Sequence, residues 1–195
     1  MVHLNQESKS PQSTSNLVRQ LKNTSLFKNL KDSELLVILG CSNSIIYDAQ
    51  ENIFFEQDKP DGFYLVLSGR LQMYVYRKNV GQPKKILGEL TVGQHFGEIG
   101  LIDGEPRSAS IEVLTESELL FLPTVKFIAM IQFHPLIAQA IVDNLIDLVL
   151  RLPNYKIKSE NTRALLEKRL IKPDLESMQA LCMAIRQNNK SAALT

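Results

Sequence analysis

Two changes of period divide the chain. In "NLVRQLKN" (16–23) and "SELLVILG" (33–40), apolar residues recur three and four positions apart, the spacing of one helix face. Ser33 stands where an N-cap would start the second helix, and Gly40 where it would stop. From Ile45 to Leu122 the helical spacing gives way to short β-type runs: "SIIYDA", "NIFFEQ", "GFYLVLSG", "RLQMYVYRK", "KKILGEL", "SASIEVLT" and "SELLFLP". Within "RLQMYVYR", Leu71, Met73 and Val75 alternate with Gln72, Tyr74 and Tyr76, which predicts a half-buried strand with both tyrosines on the exposed face. Gly62, Gly69, Gly81, Gly88 and Gly93 punctuate the runs at intervals suited to a compact barrel or jelly roll.

After Pro123 the helical period returns. "TVKFIAMIQF" precedes "HPLIAQAIVDNLIDLVLRL", with Pro135 at the favoured first helical position and Pro153 unable to continue the helix. Ile137, Ile141, Leu145, Leu148 and Leu152 form one stripe, and Ala138, Val142, Ile146 and Val149 widen it to roughly half the circumference. So wide an arc predicts burial on two sides, the second cover being either 154–195 of the same chain or a second copy in a homodimer. Residues 154–195 hold two weaker helical patterns; in the second, Leu175, Met178, Leu181 and Ile185 share a face. Residues 1–15 are rich in Ser, Gln and Asn and are expected to be a disordered tail.

Length and composition add bounds. The 195 residues allow one domain with a sizeable core and an extension, and 44% hydrophobic with 22% charged residues is ordinary for a globular chain. A net charge of +1 argues neither for nor against a polyanionic partner. Cys41 and Cys182 stand far apart and outside any C-x-x-C pair, which fits a reducing compartment and gives no disulfide or zinc framework. The start "MVHLNQESKSPQSTSN" has no apolar leader and carries Val2 where myristoylation requires glycine. No apolar run approaches the roughly 20 residues of a membrane span. A cytoplasmic protein without membrane attachment is the expectation.

The chemistry concentrates in "FGEIGLIDGEPRSAS" (96–110). Gly97 and Gly100 allow the backbone close to a ligand, and the start of "GLIDGEP" can direct free N–H groups at an anion. Arg107 brings a permanently charged planar fork that suits a phosphate, and Ser108 adds a hydroxyl. Glu98 would repel a phosphate, but it suits a ligand that also offers a hydroxyl, because a carboxylate only accepts. Together they describe a site for a sugar phosphate of low charge. The bland alternative for the same residues is a surface Glu98–Arg107 ion pair, which is worth little.

The complete stretch closely resembles the phosphate-binding cassette of the cyclic nucleotide-binding domain family. The likeness runs over roughly residues 20–152 and includes "NTSLFKNL", "GFYLVLSGRLQMYV", "LTVGQHFGEIGL" and "FHPLIAQAI". It implies a mainly β fold, an eight-stranded jelly-roll barrel flanked by N-terminal and C-terminal helices. It also implies a binding domain over 16–152, with the barrel at about 43–122 and the long helix at 135–152, followed by a helical extension over 153–195. Carried over by register, Glu98 would hold the ribose 2′-hydroxyl and Arg107 the cyclic phosphate. Amides of Gly100 and of Ser108 or Ala109 would add phosphate contacts, Gly97 would let the loop approach, and Ile99 lies between them. Gln57 and Pro60 stand in "EQDKPDG" where family members often carry glycine, which should alter a turn distal to the cassette. Polar residues that reach adenine from the long helix in bacterial relatives have no counterpart here, so the base cap is expected to be apolar or to come from 154–170.

Other chemistry falls away. "GELTVGQH" has P-loop glycine spacing but Gln94 in place of lysine, and reads as a strand turn. His3, His95 and His134 have no mutual ligand spacing, and His95 reads as a loop residue. Asp103 and Glu105 read as solvated, and Tyr74 and Tyr76 as sheet packing. No catalytic constellation is present. The 42 residues after Pro153 are fewer than the winged DNA-reading module of bacterial relatives, and their eight Lys/Arg against four Asp/Glu are a mild basic excess. Nucleic acid is therefore not an expected partner. What the resemblance implies is a stand-alone, non-enzymatic regulatory module that binds cAMP, with cGMP second, needs no cofactor or metal, and signals through a protein effector. A reduced transcriptional regulator and a scaffold that has lost its ligand are the alternatives.

Overall fold

Strand-forming and helix-forming runs separate in space as they do along the chain. The computed structural model describes residues 3–5, 11–76, 84–150, 173–181 and 183. In chain order the elements are β1 (His3–Asn5), α1 (Pro11–Lys22), α2 (Asp32–Cys41), β2 (Asn43–Tyr47), β3 (Asn52–Phe54), β4 (Gly62–Val66), β5 (Arg70–Val75), β6 (Lys85–Thr91) and β7 (His95–Phe96). They continue with α3 (Glu98–Asp103), β8 (Ser110–Thr115), β9 (Ser117–Pro123), α4 (Thr124–Phe133) and α5 (Pro135–Leu150). One sheet has the order β1-β2-β9-β4-β7 and the other β3-β8-β5-β6. Every pairing is antiparallel. β2 to β9 make a mainly β, eight-stranded jelly roll with helical flanks, and β1 adds a short strand at the edge of the first sheet.

β4 shows why the fold has two cores. Its five residues are all buried, because alternate side chains enter different layers. Tyr64 and Val66 point between the sheets, where they join Phe54, Leu71, Phe96 and Ile111. Phe63 and Leu65 point the other way, into the core shared with the helices. The continuous apolar run "GFYLVLSG" is thus a strand covered on both faces rather than a half-buried one.

The arc of α5 is covered by this chain. Ile137, Ala138, Ile141, Val142, Leu145 and Ile146 are all buried, in one cluster with residues of α1, α2 and α4 and with Met178 and Leu181 of the helical segment 175–181. Over 137–146 the arc therefore offers no open face to a second copy. Asn144, also buried, ties α5 to the turn after α1: its Nδ2 donates to the Leu26 carbonyl at 2.8 Å, and its Oδ1 accepts from Asn29 at 2.6 Å. Pro153, Ile185 and the segment 154–170 lie outside the described residues.

Three local expectations change. Helix α1 already starts at Pro11, and β1 pairs with β2, so part of the 1–15 segment is ordered. Docking of Leu17, Val18 and Leu21 nucleates α1, and extending a nucleated helix through 11–15 costs little. Helix α2 starts earlier than its serine: Lys31 is the N-cap, its amide donating to Glu34 Oε2 at 2.8 Å, and Ser33 lies inside. It runs past Gly40 to Cys41, and Ser42 ends it by donating its hydroxyl to the Ile38 carbonyl at 2.8 Å. Tyr74 is buried rather than exposed. A bulge against β6 re-aims it, its hydroxyl donates to Asn52 at 2.8 Å, and Tyr76 and Lys84 cover its ring.

Candidate functional site

Between the short helix α3 and the four-stranded sheet lies a cavity of about 660 Å³. Gly97, Glu98, Ile99, Gly100, Arg107, Ser108 and Ala109, the residues singled out from the sequence, all line it. Its wall is apolar, built by Phe54 of β3, Met73 and Val75 of β5, Leu87 and Leu90 of β6 and Ile111 of β8. Met73 and Val75 were read only as the apolar face of a strand, and none of these residues was marked as part of a site. Each is one position of a strand, and only the register of four paired strands brings them to one patch.

The cassette is held in shape from behind. Gly97, with φ +84°, ends β7 and caps α3, and the Leu101 amide donates back to its carbonyl at 3.1 Å. The first turn of α3 thereby leaves the amides of Glu98, Ile99 and Gly100 without an intrahelical acceptor. A Cβ on Gly97 would lie 2.6 Å from Arg107 Nη1 and 2.8 Å from the Gly62 carbonyl; one on Gly100 would lie 3.0 Å from Pro60. Both glycines thus allow close approach, but of the protein's own arginine and turn as well as of a ligand.

Arg107 is the best-anchored member. It is only 3% exposed, and its guanidinium lies 4.2 Å over the Phe54 ring. Nη1 donates to the Gly97 carbonyl at 3.1 Å, and Nη2 donates to Asp61 at 2.6 Å and to the Gly62 carbonyl at 2.7 Å. Nε is buried without a partner among the described residues. The ion pair is with Asp61, 46 residues upstream, so the Glu98–Arg107 surface pair is not formed. Glu98, half-buried on the cavity wall, has no hydrogen bond or ion pair among the described residues.

The turn "EQDKPDG" is not distal to this site. The Gln57 amide donates to the Arg107 carbonyl, and the Arg107 amide to that of Asp58, each at 2.9 Å. Gln57 adopts φ +74°, the left-handed conformation that glycine would enter without strain. Asp61 closes the same turn and also accepts from the Tyr64 hydroxyl at 2.6 Å. Burial, and then that bond to Asp61, push the Tyr64 phenol far above its ordinary pKa, so it stays a donor. Asp61 was missed because nothing in its local sequence distinguishes it from a turn residue.

The strand-turn reading of one further stretch holds. "GELTVGQH" is a strand and turn, with the Thr91 amide donating to Gln94 Oε1 at 2.8 Å. His95 sits in β7 rather than a loop, stacked on Phe63 and within 3.1 Å of Ser25 Oγ. Among the described residues no cluster of His, Cys, Asp and Glu could hold a metal ion. No single described helix is long and apolar enough to cross a membrane.

Known proteins share this arrangement. The family profile described as "Cyclic nucleotide-binding domain" matches residues 45–134. The chain is 30% identical over 156 residues to a cyclic AMP receptor protein from Thermus thermophilus, covering 80% of this chain and 62% of that one. It is 33% identical over 103 residues to a cAMP-dependent protein kinase regulatory subunit from Dictyostelium discoideum, covering 53% of this chain and 31% of that one. The chain thus spans less than two thirds of either relative. The regulatory domain of Toxoplasma gondii PKA, solved with cAMP, superposes with a TM-score of 0.59 at 22% identity, over 73% of this chain and 53% of that one. That likeness is one of fold. With cavity, cassette and sheet order agreeing with the family match, the jelly roll of this chain belongs to the cyclic nucleotide-binding domain family.

Proposed function

We propose that this chain is a regulatory sensor of a cyclic mononucleotide, cAMP first and cGMP second, acting through a protein partner without catalysis of its own. The observation that carries the reading is the state of two side chains on one cavity. Among the described residues, Arg107 is buried with an Nε–H that no protein atom accepts, and Glu98 lines the same cavity without a partner. A buried orphan donor costs about 1–3 kcal/mol, so its retention fits a ligand that accepts from it. In this reading the cyclic phosphate meets Arg107, the α3 amides and the Ser108–Ala109 backbone. The ribose 2′-hydroxyl donates to Glu98, and the base lies on the apolar wall. Gly97, Ile99 and Gly100 shape the loop between them.

Ser108 follows the cassette arginine where cGMP-selective members often carry threonine, which places cAMP first. The binding domain covers 16–152 and the extension 153–195 carries the response, its described part sharing one apolar cluster with α5 through Met178 and Leu181. A cytoplasmic setting suits such a sensor. Calorimetry with cAMP and cGMP tests the reading: saturable one-to-one binding supports it, and no heat with either ligand refutes it.

A further inference from the structure

The same arginine that faces the cavity is already neutralised. Nη2 spends both N–H groups, on Asp61 Oδ1 at 2.6 Å and on the Gly62 carbonyl at 2.7 Å, and Nη1 spends one on the Gly97 carbonyl. That leaves Nε–H and one Nη1–H for a ligand. Asp61 cannot easily be pushed aside, since its second oxygen is held by the Tyr64 hydroxyl at 2.6 Å. Around the cavity the charges then cancel: Arg107 against Asp61, and Lys85 on the wall against Glu98.

From this we infer that Asp61 is a charge-selecting residue, admitting the singly charged phosphodiester of a cyclic nucleotide and rejecting the doubly charged phosphate of a nucleoside 5′-monophosphate. A phosphodiester has one charge over two free oxygens, matched to the two donors that remain. A phosphomonoester carries close to two charges over three oxygens. Its extra charge meets the Asp61 and Glu98 carboxylates, and its third oxygen finds no guanidinium donor. The consequence is chemical economy for a sensor: hydrolytic opening of the ring yields the 5′-monophosphate of the same nucleoside, which keeps the base and differs by a freed 3′-hydroxyl, an opened ring and added negative charge, and Asp61 acts on the charge. The inference rests on the reading of this cavity as a cyclic nucleotide site.

Competition calorimetry on the full chain tests it, with cAMP and 5′-AMP as probes. The readout is the ratio of their two affinities, which a general loosening of the site does not move in a charge-dependent way. Asp61→Asn keeps the shape and an acceptor for Arg107 while removing one negative charge. It should narrow the cAMP preference by roughly three- to tenfold, the scale of one partly screened unit charge close to another. Tyr64→Phe loosens the support of Asp61 but leaves every charge in place, and should lower both affinities with the ratio kept. A ratio unchanged in Asp61→Asn, or narrowed equally in Tyr64→Phe, overturns the inference while the binding site stands. Failure of the wild-type chain to bind cAMP or cGMP overturns the site and the inference together.

Discussion

At the scale of single residues, the two ionisable members of the cassette have opposite structural burdens. Arg107 is woven into its surroundings by three protein acceptors, whereas Glu98 holds nothing in place. Replacing Glu98 should therefore leave the fold alone. Glu98→Ala is expected to melt within a degree or two of wild type and to bind cAMP about tenfold to hundredfold more weakly, the scale of one hydrogen bond to a charged acceptor. A 2′-deoxy ligand should lose the same factor on the wild type and little further on the variant, as shared dependence on one contact requires. Calorimetry on the four combinations measures this. Independent, additive losses would remove Glu98 from ribose recognition.

Elements show how much of this was legible in sequence. The glycines, carboxylate and arginine of 96–110, grouped from the sequence, line one cavity because a loop and short helix keep sequence neighbours together. Asp61 was not legible as a partner because it meets Arg107 from a turn 46 residues upstream, and Phe54 and the β5–β6 wall were not legible as cavity lining because they reach it through strand register rather than proximity in sequence. The same limit explains Tyr74, whose exposed-face placement followed from perfect alternation until a bulge broke it. Two expectations follow at this scale. Gly97→Ala must adopt φ +84° and thrust a methyl at Arg107 and the Gly62 carbonyl, so it should lose about 2–4 kcal/mol of stability in urea unfolding. Its affinity for cAMP should fall with it. Met178→Ala empties a fully buried site between the C-terminal segment and the helical core and should cost about 2–4 kcal/mol. A cost within half a kcal/mol would mean that 175–181 is not packed on the core.

For the whole molecule, the buried phenols set an upper pH limit. Burial is the main cause of the raised pKa of both Tyr47 and Tyr64, and the Asp61 carboxylate adds to it in each. A group whose folded pKa is raised holds its proton more tightly when folded. Its contribution is therefore intact below the unfolded pKa of about 10 and is lost as pH climbs from there toward the folded value. Urea midpoints should stay level up to about pH 9 and fall above about pH 10, and Tyr64→Phe should shallow that fall. The central claim concerns the cavity, and thermal unfolding of wild type and Arg107→Ala against cAMP and cGMP tests it most directly. At 100 times its Kd a ligand should stabilise the wild type by about 2.7 kcal/mol. Arg107→Ala should remain folded, weakened by about 1–3 kcal/mol through the orphaned Gly62 and Gly97 carbonyls, and should show no ligand shift. Equal shifts in the two proteins, or none in the wild type with either nucleotide, would contradict the account.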